Sequence, residues 1–140
     1  MKKGYYITAD GDRFELERSR TLFLYGMGLI ELVIPYGVQE LHCSCNNLTE
    51  LILPDSLEEV YCYNNNLTEL VIPDSVKRID CSGNNLTELM IPDGVFWVDC
   101  NRNPIHNVKL SKTLGGIICN LNSIDIVEYK DKDCLIQMFI

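Results

Sequence analysis

The stretch NNLTELVIPDSVKRIDCSGNNLTEL, Asn65 to Leu89, opens and closes on the same phrase: Asn65–Leu70 returns unchanged as Asn84–Leu89, nineteen positions later. The same interval runs outward from it in both directions. Pro35, Pro54, Pro73 and Pro92 keep it, as do Cys43, Cys62, Cys81, Cys100 and Cys119, and Asn46, Asn65, Asn84, Asn103 and Asn122. Two apolar series share it: Leu48, Leu67, Leu86, Ile105 and Ile124, and Leu51, Leu70, Leu89, Val108 and Val127. Leu22, Leu24, Leu29 and Leu32 fall on the same frame, so a worn first unit begins near Leu16. A short phrase repeated at a fixed interval is the mark of a solenoid, in which each coil contacts only its neighbours.

Within one unit the apolar pattern is that of strands. Leu70 and Ile72 alternate around Val71, and Pro73-Asp74-Ser75 ends the run. Ile79 and Cys81 then alternate around Asp80 before Ser82-Gly83-Asn84-Asn85 breaks the pattern again. Alternation buries one face of a strand. Proline stops a ladder because it has no N–H to donate, and Asp-Ser or Asp-Gly beside it supplies turn chemistry. The expectation is an all-β, flattened coil with two short strands per nineteen residues. One coil cannot bury enough apolar surface to hold itself, so the core must run on between stacked coils. A slip of one residue would turn the inward Leu, Ile and Cys outward.

The ends need closure. Tyr5–Thr8 and Arg13–Glu17 flank Ala9-Asp10-Gly11-Asp12, a hairpin signal. Ile124–Tyr129 and Cys134–Ile140 flank Lys130-Asp131-Lys132-Asp133, which predicts a second hairpin. The chain is thus expected to be one domain over 1–140: the N-terminal cap and worn first unit at 1–21, repeat coils at 22–123 and a C-terminal cap at 124–140.

Composition narrows the function. The 140 residues are 46% hydrophobic and 23% charged, the balance of a folded domain, and the net charge is -8. Nucleic acid and anionic membrane are held by clusters of Lys and Arg, whereas the 12 basic residues here are scattered. Met1-Lys2-Lys3 is followed by Asp10 before any apolar run develops, so no secretion signal is read, and no stretch is long enough to span a membrane. The expected place is the cytoplasm, or the host cytosol for a chain encoded by a virus or phage.

The framework at Val76–Leu86, Val-x-x-Ile-x-Cys-x-x-Asn-x-Leu, resembles the leucine-rich repeat family, whose signature is L-x-x-L-x-L-x-x-N/C-x-L. Val38–Leu48, Leu57–Leu67 and Val95–Ile105 match it equally, and Leu114–Ile124 in part, so the resemblance covers residues 16–129. The Ile72-Pro73-Asp74-Ser75 element resembles the short bacterial subclass, with an extended variable half. The resemblance implies a right-handed repeat β-solenoid that binds another protein, with the Asn series bonding backbone groups at the bend after each framework strand.

Chemistry is sparse. The five periodic cysteines form an inward ladder, and metal sites need ligands that converge on one point. His42-Cys43-Ser44-Cys45 is a weak metal signal because alternation sends Cys43 inward. His42 and His106 lie three units apart. No phosphate loop, nucleophile elbow or carboxylate pair stands out, and neither an enzyme nor a cofactor is expected. Two outward surfaces remain. The framework strands show Phe23, His42, Tyr61, Asp80 and Asp99, flanked by Tyr25, Tyr63, Arg78, Trp97 and Arg102. Tyr, Trp and Arg anchor interfaces, which makes this face the expected site for a protein partner. On the other strand Val33, Ile52, Val71 and Met90 should form an exposed apolar stripe edged by Glu31, Glu50, Glu69 and Glu88. Self-association as a homodimer through that stripe is the alternative, as is cover by the chain's own termini.

Overall fold

The computed structural model describes residues 3–111, 113–120, 125–128 and 135–139. In chain order the strands are β1 (Gly4–Thr8), β2 (Arg13–Leu16), β3 (Thr21–Phe23), β4 (Leu29–Val33), β5 (Glu40–His42), β6 (Glu59–Tyr61) and β7 (Arg78–Asp80), then β8 (Glu88–Met90), β9 (Trp97–Asp99), β10 (Asn107–Lys109), β11 (Gly116–Asn120), β12 (Asp125–Glu128) and β13 (Leu135–Phe139). No helix occurs among the described residues. The protein is an all-β solenoid.

Its spine is a seven-stranded parallel sheet in the order β13-β11-β9-β7-β6-β5-β3. Thr21 pairs with Glu40, Glu40 with Glu59, Glu59 with Arg78, Arg78 with Trp97, Trp97 with Gly116 and Gly116 with Leu135. Each step is one nineteen-residue coil. The sequence period is therefore the sheet register itself. Alternation works as expected: Leu41, Val60, Ile79 and Val98 point in, with none of their surface exposed, while the residues on either side face out. Leu48, Leu67, Leu86, Cys43, Cys62 and Cys81 complete the sealed core, also at 0% exposure.

The side opposite the framework sheet, here called the back, is less regular. Strands β8, β10 and β12 form a three-stranded sheet, and β4 pairs with β1. The segments 50–53 and 69–72 of the intervening coils form no strand. Two strands in every coil is therefore an over-statement. A groove of about 940 Å³ opens beside the 68–74, 87–93 and 109–111 segments. Leu51, Leu53, Leu70 and Ile72 still turn inward. Burial keeps these segments in register beyond the cross-coil bonds that precede them, Asn66 N–H to Leu48 O and Asn85 N–H to Leu67 O.

At the N-terminus β1 and β2 make the expected antiparallel hairpin, with Tyr6 opposite Phe14, their rings stacked 5.0 Å apart. Gly11, at φ 87°, turns its corner. Strand β1 also lies antiparallel along β4. Gly4 permits that approach: a Cβ there would meet Pro35 Cδ at 2.3 Å and Val33 O at 2.7 Å.

The expected C-terminal hairpin does not form. Strand β12 pairs in parallel with β10, and β13 in parallel with β11, so the chain closes with one more coil. The reason lies in the open edges. A last coil exposes unpaired N–H and C=O groups on both sides, and parallel strands satisfy both, where a hairpin would satisfy one. The beat slips once. Ile126, rather than Val127, sits opposite Val108, and a bulge restores the register at Lys109 and Glu128. Asn122 and Ile124 of the repeat series, and the Lys130–Asp133 turn, lie outside the described residues.

Candidate functional site

The bends after β5, β6, β7 and β9 are built by Asn46, Asn65, Asn84 and Asn103. Asn65 Nδ2 donates to the carbonyls of Cys43 at 3.0 Å and Cys62 at 3.1 Å, while its Oδ1 accepts the Leu48 N–H at 3.0 Å. Asn84 repeats this one coil on, with Cys62 O, Cys81 O and Leu67 N–H, and Asn103 with Cys81 O, Cys100 O and Leu86 N–H. Each amide thus ties its own coil to the preceding one, and each is buried. An amide is the side chain that offers donors and an acceptor together in so small a space.

The cysteine ladder lies just inside. Burial pushes the Cys43 thiol up to about 12, and the Cys62, Cys81 and Cys100 thiols well above their ordinary value. These groups stay protonated near neutrality, so they serve neither as nucleophiles nor as ready metal ligands. His42 and Cys45 have separate partners. His42 Nε2 lies 2.7 Å from Glu40 Oε1, whereas the Cys45 sulfur accepts Asn64 Nδ2 at 3.7 Å. Among the described residues no three His, Cys, Asp or Glu side chains gather as a metal site would require.

Cys45 stands outside the cysteine series but sits on a beat of its own. Gly26, Cys45, Asn64, Gly83 and Arg102 stand nineteen apart at the same bend and all adopt positive φ, between 53° and 64°. Glycine at 26 and 83 and asparagine at 64 are the residue types that tolerate this region, and their spacing was the available signal.

On the framework face three rings stack. Phe23 lies over His42 at 4.7 Å and His42 over Tyr61 at 4.6 Å, with planes 24° and 13° apart. Parallel pairing sets this spacing, because rings at the same place in successive strands lie one strand apart. Tyr61 donates to Glu59 Oε2 at 2.7 Å, and burial followed by this bond pushes its hydroxyl pKa up. Tyr25 and Tyr63 tilt toward each other across Ser44 at 6.4 Å. Further along the sheet the face becomes charged. Arg78 holds its guanidinium 5.4 Å from the Trp97 ring centre. Asp80 Oδ1 accepts from the Ser82 hydroxyl at 2.6 Å, and Asp99 Oδ1 from the Asn101 N–H at 3.0 Å. Burial raises the Asp99 pKa, partly offset by that N–H. Arg102 is exposed at the bend, on the rim of this face.

On the back, Ile52, Val71 and Met90 are 83%, 84% and 70% exposed. Val33 departs from the expected stripe. It is half-buried, because β1 runs along β4 and sets Tyr5 beside it. Lys109 takes the next place after Met90 and ends the row.

No family profile and no curated protein matches the sequence. Solved structures do share the architecture. Similarity to InlJ from Listeria monocytogenes, whose functional domain includes a cysteine ladder, extends over 73% of this chain at 26% identity with a TM-score of 0.59. Similarity to YopM from Yersinia enterocolitica covers 76% of the chain at 23% identity and the same TM-score of 0.59. The fold is the leucine-rich repeat β-solenoid. The chain spans about a quarter of each of these proteins, 25% and 26%. Its repeats carry the family's Asn at the bend and a cysteine where the signature has its third Leu. No helix among the described residues is long and apolar enough to cross a membrane.

Proposed function

We propose that this leucine-rich repeat chain is a non-catalytic, protein-binding scaffold that recognises another protein through its framework face. The observation that carries this is the continuous row of stacked rings, Phe23–His42–Tyr61, running into the Arg78–Trp97 pair and the carboxylates of Asp80 and Asp99. Stacked rings are rigid before a partner arrives, so little side-chain entropy is lost on binding. Phe23 at 72% exposure and Tyr25 at 59% present apolar surface at one end, and the charged end supplies direction. The fold supports the class, and the residue set Phe23, Tyr25, His42, Tyr61, Tyr63, Arg78, Asp80, Trp97, Asp99 and Arg102 is the proposed contact surface. A reducing cytosol is proposed as its place, since the ladder thiols are packed as thiols. The net charge of -8 argues against nucleic acid as the partner.

Capture from an extract of the native host, with quantitative mass spectrometry, tests this reading. Tyr61→Ala and Trp97→Ala should each lose a partner that wild type and Ile52→Glu both retain, with melting temperatures nearly unchanged. Equal recovery by all four proteins would refute the assignment.

A further inference from the structure

The back of the solenoid carries an arrangement that the framework reading leaves unused. Ile52, Val71 and Met90 form a row on successive coils, and each has a carboxylate two residues before it and another three residues after it. The first set is Glu50, Glu69 and Glu88; the second is Asp55, Asp74 and Asp93; all six are exposed. Asp93 interacts within the chain, whereas the other five have no ion-pair partner among the described residues. The groove of about 940 Å³ cuts across this row, with Val71 and Met90 on its walls and the buried Leu70, Ile72 and Ile91 at its base. An apolar track thus runs along the solenoid axis between two acidic rails.

We propose that this face seats a cationic amphipathic α-helix of another protein, its apolar spine on Ile52, Val71 and Met90 and its Lys or Arg residues on the two rails. Three physical points select this occupant. A second copy of the chain would set acidic rails against acidic rails whichever way it turned, and like charges brought together at an interface are strongly unfavourable. The rails are five residues apart along each coil, at most roughly 16 Å at ~3.3 Å per residue. A helix about 10–12 Å across lies between rails so spaced with long basic side chains reaching both, whereas a single extended strand reaches one. The helical pitch of about 5.4 Å is also close to the ~4.8 Å step between coils, so residues one turn apart meet successive coils. Lys109, at the end of the row, suits the negative end of a helix dipole and directs the C-terminus of the bound helix toward it.

Fluorescence anisotropy tests this with a labelled synthetic helix of ~18 residues, long enough to be partly helical in water, with a Leu spine and Lys on both flanks. Two control peptides accompany it: one with the same composition but the leucines spread around the helix, and one with Glu for Lys. The first peptide should bind, with affinity falling steeply as salt rises. Val71→Ser should weaken it about tenfold, the loss of one well-packed apolar contact. Glu69→Lys/Glu88→Lys should weaken it at least tenfold and flatten the salt dependence, while Tyr61→Ala leaves it unchanged. Every substituted residue on the back is exposed, and melting curves verify that each variant is folded. The proposal is overturned if the redistributed peptide binds within about twofold of the first, since acidity alone then explains capture. It is equally overturned if charge reversal has no effect, or if wild type sediments as a dimer that Ile52→Glu makes monomeric.

Discussion

Along the framework side each coil meets the next through a parallel strand pair, and seven strands run without interruption from β3 to β13. On the back of the same coils pairing lapses at 50–53 and 69–72, although the inward leucines there are as regular as elsewhere. One sequence period thus yields an uninterrupted hydrogen-bonded wall on one side and, on the other, a wall whose strand pairing lapses in the middle coils. The difference lies at the bend. After β5, β6, β7 and β9 stands an asparagine that bonds the backbone of two coils, which pins the coil spacing there. No comparable cross-coil amide occurs on the back among the described residues, and a groove opens there.

The largest test of this contrast is alkali. Cys43, Cys62, Cys81 and Cys100 are kept protonated by burial, Cys43 up to about 12 against an ordinary value near 9. Above pH 9 the unfolded chain releases these protons while the folded chain keeps them, so the unfolded state binds fewer protons and stability falls as pH rises. Each thiol contributes up to about 1.4 kcal/mol per pH unit across that window. Urea titrations should show stability level from pH 7 to 8.5 and several kcal/mol lower by pH 10.5; a flat profile would mean that the thiols are not sealed in the framework wall.

Next in size is the bend itself. Asn84→Ala leaves the Leu67 N–H without its partner and removes one of the two donors to each of the Cys62 and Cys81 carbonyls, which keep Asn65 and Asn103. At about 1–3 kcal/mol for a buried group left unmet and about 0.5–1.5 kcal/mol for each further bond lost, the expected loss is about 2–5 kcal/mol by urea unfolding. Glu69→Ala on the back of the neighbouring coil should cost less than about 0.5 kcal/mol. Equal effects would erase the distinction between the two sides.

The smallest effects concern the left-handed row. Gly83 has φ 63°, and a Cβ there would meet Asn64 Oδ1 at 2.3 Å. Gly83→Ala should cost about 1–2 kcal/mol, whereas Arg102→Gly at the equivalent bend should be neutral or stabilise by up to about 1 kcal/mol. Thermal melts of the pair give the sign, and a stabilised Gly83→Ala would show that the bend does not constrain the spacing.

Much of the candidate site was legible because a strict period carries geometry with it. Once Cys62 and Cys81 are inward, Tyr61 and Asp80 must be outward, and the vertical rows follow. What could not be read was how rows interact. That the His42 ring lies between Phe23 and Tyr61 depends on strand spacing and side-chain rotation. That Val33 is half-buried depends on a strand nearly thirty residues earlier, β1, returning beside β4. The place of Cys45 in a periodic row was hidden because the left-handed bend is a backbone property, shared by residues as unlike as Gly, Asn and Arg.

From the chain of letters alone came the coil length, the inward set and the buried amides, because each is a local consequence of periodicity repeated until it is unmistakable. Only the folded molecule decided where the back ladder lapses, that the C-terminal strands extend the stack instead of folding on themselves, and where the groove opens. Those outcomes turn on the distance between backbones far apart in sequence and on which open edge offers the most unpaired hydrogen-bonding groups, quantities that exist only after the coils have stacked.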